Sequence, residues 1–253
     1  FTDKVFTGNY AAVIILDEWI SKELMQSIAM ENNLSETAFI KNTKDNTYEI
    51  RWFSPINEID FCGHATLASA YVLFEENDTL NEIIFTAKAV GSLTVSKETD
   101  GYIKMIFPNR KPKNISTVPE AILKGLSIAP KEVLLSQQAY FAIYENENDI
   151  YKVEPNLEEL KKLAPYDVVV SAASDEYDFI SRYFWPANGG DEDPVTGSIH
   201  TGLAPYWAEK LNKNELKAFQ ASKRGGVLLC TVTADNVIIL GKAIKYLEGY
   251  IEV

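Results

Sequence analysis

Glu36 sits in Asn33-Leu34-Ser35-Glu36-Thr37-Ala38-Phe39, a carboxylate set between a helix end and an apolar strand. A carboxylate partly withdrawn from water is what a general base needs; the plainer reading is a polar residue at a strand entrance. His64 follows Gly63 at a helix start, where glycine lets backbone approach a ligand and the imidazole lies beside unsatisfied N–H groups. The positive helix end opposes imidazolium formation, so a neutral histidine that relays a proton or holds a substrate hydrogen bond is expected, with a satisfied core histidine as the alternative. The sharpest string is Gly189-Gly190-Asp191-Glu192-Asp193-Pro194-Val195-Thr196-Gly197-Ser198. Asp193-Pro194 bends the chain ahead of a helix, holding a carboxylate near the Ser198 hydroxyl and local N–H groups that would meet an anion; an acidic surface turn is the alternative. Cys62 is a possible thiolate base, but two-thiol racemisation needs a second cysteine opposite, and Thr196 stands in the matching place. Cys230, in Leu228-Leu229-Cys230, reads as core. His200 reads as helix packing, and Arg224-Gly225-Gly226 after Ser222 as a structural turn.

These residues belong to a repeated pattern. Arg51-Trp52-Phe53-Ser54-Pro55 is followed, after seven residues, by Gly63-His64 and an apolar helical run; Arg182-Tyr183-Phe184-Trp185-Pro186 is followed, after ten, by Gly197-Ser198 and another. Each copy reads as strand, acidic turn and a glycine opening a helix, so two copies folded face to face would aim two helix N-termini at a shared cleft suited to an anion. Further helices are expected after Ser21, after Thr117 with Pro119 in the first turn, and after Asn156 with Glu159 completing a capping-box-like pair. Strand patterns cover 11–16, 37–41, 48–53, 83–87, 92–96, 102–107, 133–144, 168–172, 227–232 and 237–240, with tight turns at Asp100-Gly101 and Asp235-Asn236. Many strands around few helices mean an α+β fold rather than a doubly wound parallel sheet. Pro108 to Pro119 is the expected crossover between an N-terminal lobe of residues 1–110 and a C-terminal lobe of 111–241.

With 46% hydrophobic and 11% aromatic residues in 253, the chain has ample material for a packed core. Its 24 basic against 36 acidic residues, without a basic run, exclude nucleic acid as an expected partner. No stretch approaches the roughly twenty apolar residues of a membrane span and the start carries no signal-peptide pattern, so no membrane association and a cytoplasmic location are expected. Two cysteines make no disulfide scaffold and have no zinc-ligand spacing with His64 or His200, so no metal is expected. The chain opens at Phe1 in mid-pattern, and a short preceding segment, part of a strand, is expected.

Phe6-Thr7-Gly8-Asn9 with Ala11-Ala12-Val13, Leu34 to Phe39, Cys62-Gly63-His64-Ala65-Thr66, Gly91-Ser92-Leu93-Thr94-Val95, Glu192 to Ser198 and Ser222-Lys223-Arg224-Gly225-Gly226 together resemble the PhzF-like isomerase family of phenazine biosynthesis, which shares the diaminopimelate epimerase fold. The resemblance implies two pseudo-symmetric lobes, each a curved, mainly antiparallel sheet around a central helix, with residues 242–253 returning as a final strand to the first lobe. It implies a catalytic Glu36, an active-site His64, a supporting Asp193, and carboxylate contacts at Gly63, Gly197 and Ser198. It further implies a homodimer and a cofactor-independent isomerase that moves a proton on a small carboxylate substrate. Tyr10 stands where the family usually has proline, so the pocket wall differs. An amino-acid epimerase using Cys62 as a base, and a binding protein that kept the cleft without the chemistry, are the alternatives.

Overall fold

Glu36 opens a strand and His64 lies in the first turn of a helix, and the elements that hold them recur in the second half of the chain. The computed structural model describes residues 1–253. They fall into two units, Phe1–Met105 with Gly241–Val253, and Ile106–Leu240.

The first unit contains β1 (Ala11–Leu16), α1 (Lys22–Asn32), β2 (Glu36–Lys44), β3 (Thr47–Phe53), β4 (Glu58–Ile59), α2 (Gly63–Glu76), β5 (Glu82–Ala87), β6 (Gly91–Lys97) and β7 (Ile103–Pro108). Its sheet runs β1-β2-β3-β5-β6-β7, with β4 added on β3. β1 pairs parallel with β2, and β3 with β5, because a helix carries the chain back across the sheet each time; the other pairs are antiparallel. α1 starts where the Ser21 hydroxyl accepts the Leu24 N–H (3.1 Å), and it ends where Asn33 turns left-handed (φ 47°). Met25, Ile28 and Ala29 then pack on Phe39 and Phe53. α2 is apolar on several faces and buries Ala65, Leu67, Ala70, Leu73 and Phe74, as a central helix must.

The second unit contains β8 (Lys113–Asn114), α3 (Glu120–Gly125), β9 (Glu132–Leu135), β10 (Ala139–Ile143), α4 (Glu147–Lys152), α5 (Leu157–Leu160), β11 (Asp167–Ala173), β12 (Phe179–Phe184), β13 (Glu192–Asp193), α6 (His200–Leu211), β14 (Glu215–Gln220), β15 (Gly226–Val232) and β16 (Asn236–Gly241). The order β10-β11-β12-β14-β15-β16, with β13 on β12, repeats β1 to β7 in sequence and in every parallel or antiparallel sense; β9 and β8 extend it beyond β10. Register repeats too: Ala11 faces Glu36 as Ala139 faces Asp167, and Phe53 faces Glu58 as Phe184 faces Glu192. The doubled Arg-x-Phe string has a physical reason. Arg51 Nε donates to Glu58 at 2.7 Å and Arg182 Nε to Glu192 at 2.8 Å, each guanidinium lying over the ring of the following phenylalanine (5.3 and 5.0 Å to the centroids). Each clamp fastens the short strand that leads into a central helix.

The α+β architecture of two pseudo-symmetric halves is therefore as expected, with four corrections of detail. Segment 133–144 is two strands, β9 and β10, because the Ser136 hydroxyl accepts the N–H groups of Gln138 and Ala139 and turns the chain. The second central helix begins at His200 rather than Gly197: residues 197–199 form a tight turn in which His200 N–H bonds Gly197 O (3.2 Å) and Thr201 N–H bonds Ser198 O (3.1 Å). β14 and α4 have no counterpart in the sequence reading. Residues 242–253 group with the first unit, where Thr2 N–H bonds Lys242 O, but form no strand; Tyr246, Leu247 and Tyr250 are exposed. No helix is long and apolar enough to cross a membrane.

α6 approaches β10 at Gly202, where a Cβ would lie 2.6 Å from the ring tip of fully buried Phe141 and 3.2 Å from Arg110 O. Gly202→Ala is expected to cost about 1–3 kcal/mol, measured by urea unfolding, because a packed ring must move to admit one methyl group.

Candidate functional site

In the first unit, the start of β2 and the first turn of α2 place three reactive side chains together. Glu36 and His64 are each 6% exposed and Cys62 7%. Glu36 Oε2 lies 2.9 Å from His64 Nε2. The other ring nitrogen, Nδ1, is 3.2 Å from Asn9 Nδ2 and 3.4 Å from Cys62 Sγ. Asn9 thus engages one side of the imidazole and turns the other toward the carboxylate. Burial alone would lower the His64 pKa; its neighbours Cys62 and Glu36 outweigh it and drive the value well above the usual histidine range. Burial, reinforced by Glu36, pushes the Cys62 thiol up. The helix end alone would favour a neutral histidine, and the carboxylate at contact distance pulls in the opposite direction. Gly63 is the first residue of α2, and Cys62 at the N-cap makes no side-chain cap hydrogen bond.

In the second unit, Asp193, Thr196, Gly197 and Ser198 occupy the turn between β13 and α6. Asp193 is buried, and its carboxylate accepts the Thr196 hydroxyl. Fully buried Gln220 latches this turn: its Oε1 accepts Thr196 N–H and its Nε2 donates to Asp193 O, both at 2.8 Å. The Ser222 hydroxyl donates to Pro194 O (2.7 Å), which gives the Ser222 to Gly226 turn a structural task. Ser198 Oγ accepts from Gln138 Nε2 (2.9 Å), which also donates to the Tyr183 hydroxyl; that hydroxyl donates to Asp167, whose other oxygen accepts Asn188 Nδ2 at 2.7 Å. Because Gln138 uses an Oγ lone pair, the Ser198 hydrogen is aimed elsewhere and is available to a ligand anion. Burial raises the Asp167 pKa against the opposing pull of Tyr183 and Asn188.

The structure thus gathers Glu36, Gly63 and His64 in one unit and Asp193, Gly197 and Ser198 in the other. Sequence reasoning assigned no role to Asn9, Gln138, Gln220 or Asp167. For Asp167 a signal existed: Tyr166-Asp167-Val168-Val169 places an acid at the head of an apolar strand, as Ser35-Glu36-Thr37-Ala38 does, and the shared register puts both acids in one structural place. Asn9 and the glutamines act across long sequence separations that no local pattern carries. Cys62, Glu36 and His64 have donor atoms within 4.8 Å of one another.

The model of the phenazine biosynthesis-like protein family matches residues 1–249, and the chain belongs to that family. A relative from Pseudomonas aeruginosa, described as an uncharacterized isomerase, is 45% identical over 249 residues, 98% of this chain and 95% of that protein. An uncharacterized isomerase from Halalkalibacterium halodurans is 44% identical over 253 residues, covering 98% and 94%. Among solved structures, a phenazine biosynthesis PhzC/PhzF protein from Clostridium difficile superposes with a TM-score of 0.92 at 41% identity, over 100% of this chain and 96% of that one. A hydroxyproline epimerase from Agrobacterium vitis, at 12% identity and a TM-score of 0.56 over 88% of this chain and 78% of that one, shares the fold alone.

His200, though it follows the Ser198 turn, is a core residue. It is fully buried, its Nδ1–H donates to Thr196 O (2.8 Å), its Nε2 has no partner, and burial lowers its pKa to about 4. A base whose folded pKa lies below its unfolded value of about 6.5 withdraws stability as pH falls through that window. Between pH 7 and 4 the wild type is expected to lose roughly 2–3 kcal/mol more than His200→Asn, whose amide replaces the Nδ1 donor; parallel urea titrations across pH would measure the difference.

Proposed function

We propose that this chain is a cofactor-independent isomerase that moves a proton between carbons of a small unsaturated carboxylate. The observation that carries the reading is the buried 2.9 Å contact of Glu36 with His64 beside a helix N-terminus without a side-chain cap. Glu36, withdrawn from bulk water, takes a proton from a substrate carbon. The bonding pair moves into the adjacent conjugated system, the double bond shifts, and the protonated Glu36 returns its proton to a second carbon, so no atom is gained or lost. His64, in contact with Glu36 through Nε2, donates toward the negative charge that develops on the substrate. The first-turn N–H groups at Gly63 receive the substrate carboxylate, with Gly197 and the Ser198 hydroxyl as further donors and Asp193 fixing their turn through Thr196. The relatives named as isomerases agree with this class of reaction.

Epimerisation with Cys62 as the base is less well supported, because burial and Glu36 both hold its proton on and Thr196, an alcohol engaged with Asp193, occupies the corresponding place in the second unit. Deuterium incorporation from solvent into a panel of small unsaturated and amino carboxylates, read by mass spectrometry, tests the choice. Glu36→Gln is expected to lower exchange by about 10²- to 10⁴-fold while binding persists, and Cys62→Ser to change it by less than about tenfold. Full exchange in the glutamine variant, or its loss in the serine variant alone, would contradict the assignment.

A further inference from the structure

In each unit the acid that heads a strand is tied to the residue after the glycine of the turn: Glu36 to His64 directly at 2.9 Å, Asp167 to Ser198 through two intermediates. The intermediates are Tyr183, 3% exposed, and Gln138, whose backbone carbonyl also accepts the Asp167 N–H at 3.2 Å. The direction of this chain is set at its buried end. A carboxylate has no hydrogen to give, so Tyr183 must donate to Asp167 and its oxygen is left to accept. The atom facing that oxygen must then be Gln138 Nε2, and the same nitrogen gives its second hydrogen to Ser198 Oγ, both bonds being 2.9 Å long. Ser198 can only accept from Gln138, so its own hydrogen points elsewhere. A hydrogen placed on the Asp167 side chain would reverse every step. Tyr183 would accept it and donate to Gln138, Gln138 would present Oε1, and Ser198 would spend its hydrogen on that oxygen.

We propose that Asp167 is a positioning residue: through Tyr183 and Gln138 its carboxylate makes Ser198 Oγ an acceptor and frees the hydroxyl hydrogen for a substrate carboxylate. This rests on the reading of Ser198 as a carboxylate donor given above. It gives a task to an acid that is 8% exposed and bonds the Tyr183 hydroxyl and the Asn188 amide, neither of them charged, an arrangement that is costly unless the acid is needed. Asp167→Asn is the test of nearly unchanged shape. Asn188 Nδ2 donates to Asp167 Oδ1 at 2.7 Å and is held in that orientation by Pro165 O at 3.3 Å. In the variant the amide oxygen therefore meets Asn188, the amide nitrogen meets Tyr183, and the chain runs backwards.

Titration of the full chain with crotonate, a small unsaturated carboxylate, followed by ligand NMR, reads the effect as a double-mutant cycle. Asp167→Asn and Ser198→Ala are each expected to weaken crotonate binding about tenfold or more, the loss of one hydrogen bond to a charged group. The double variant should bind no more weakly than Ser198→Ala alone, because Asp167 acts only through that hydroxyl. Gln138→Leu, at a partly exposed position, gives a second route should Asp167→Asn fail to fold. It is expected to cost about threefold, since the Ser198 hydroxyl is then spread over three rotor wells, and again nothing further on Ser198→Ala. Melting curves establish which variants fold. Wild-type affinity in Asp167→Asn or Ser198→Ala, losses that add in full in the double variant, or no crotonate binding by the wild type would overturn the assignment. The expected cycle with no deuterium exchange in any carboxylate would count against the isomerase reading and leave this one standing. Exchange abolished by Glu36→Gln alongside additive losses would do the reverse.

Discussion

The contact of Glu36 with His64 is the constraint on which the candidate chemistry rests. Two ionisable groups that are 6% exposed pay a large desolvation cost if charged alone, and each is tolerable because the other is 2.9 Å away. Removing either side chain leaves the other buried and uncompensated. The pair is also incompatible with a thiolate at Cys62, since a second negative charge in this confined space would face Glu36 directly.

The backbone makes that contact by means used twice in the chain. An acid at the head of a strand, an arginine–glutamate clamp on a two-residue strand, and a glycine at the approach to a central helix occur in both units. On equal scaffolds the side chains diverge. Glu36, Cys62 and His64 form a compact acid–base cluster, whereas Asp167, Thr196 and Ser198 are absorbed into chains of hydrogen bonds through Tyr183, Gln138 and Gln220. Duplication supplied two equivalent frames, and the side chains fill them differently.

Much of this could be read from the residues. The echo of Arg51-Trp52-Phe53 in Arg182-Tyr183-Phe184 announced the repeat, since strand, clamp and helix start are encoded within about fifteen residues. Ser21 and Asn156 marked helix starts because capping is a local interaction. The beginning of α6 was misplaced because Gly197 begins a tight turn that resembles a helix start in sequence, and the continuous apolar run 133–144 hid the Ser136 turn. The pull of Glu36 on His64 was missed for a different reason: the helix end is visible in sequence, while the opposing carboxylate stands 28 positions away and reaches it only through the fold. Gln220, 24 positions from the Thr196 N–H it receives, was invisible on the same ground.

Neutron diffraction from crystals grown near neutral pH bears on this account most directly, because it locates the protons on His64, Glu36 and Cys62. The predicted result is a hydrogen on His64 Nε2, beside Glu36, and a protonated Cys62 Sγ. A bare Nε2, or a bare sulfur at Cys62, would contradict it.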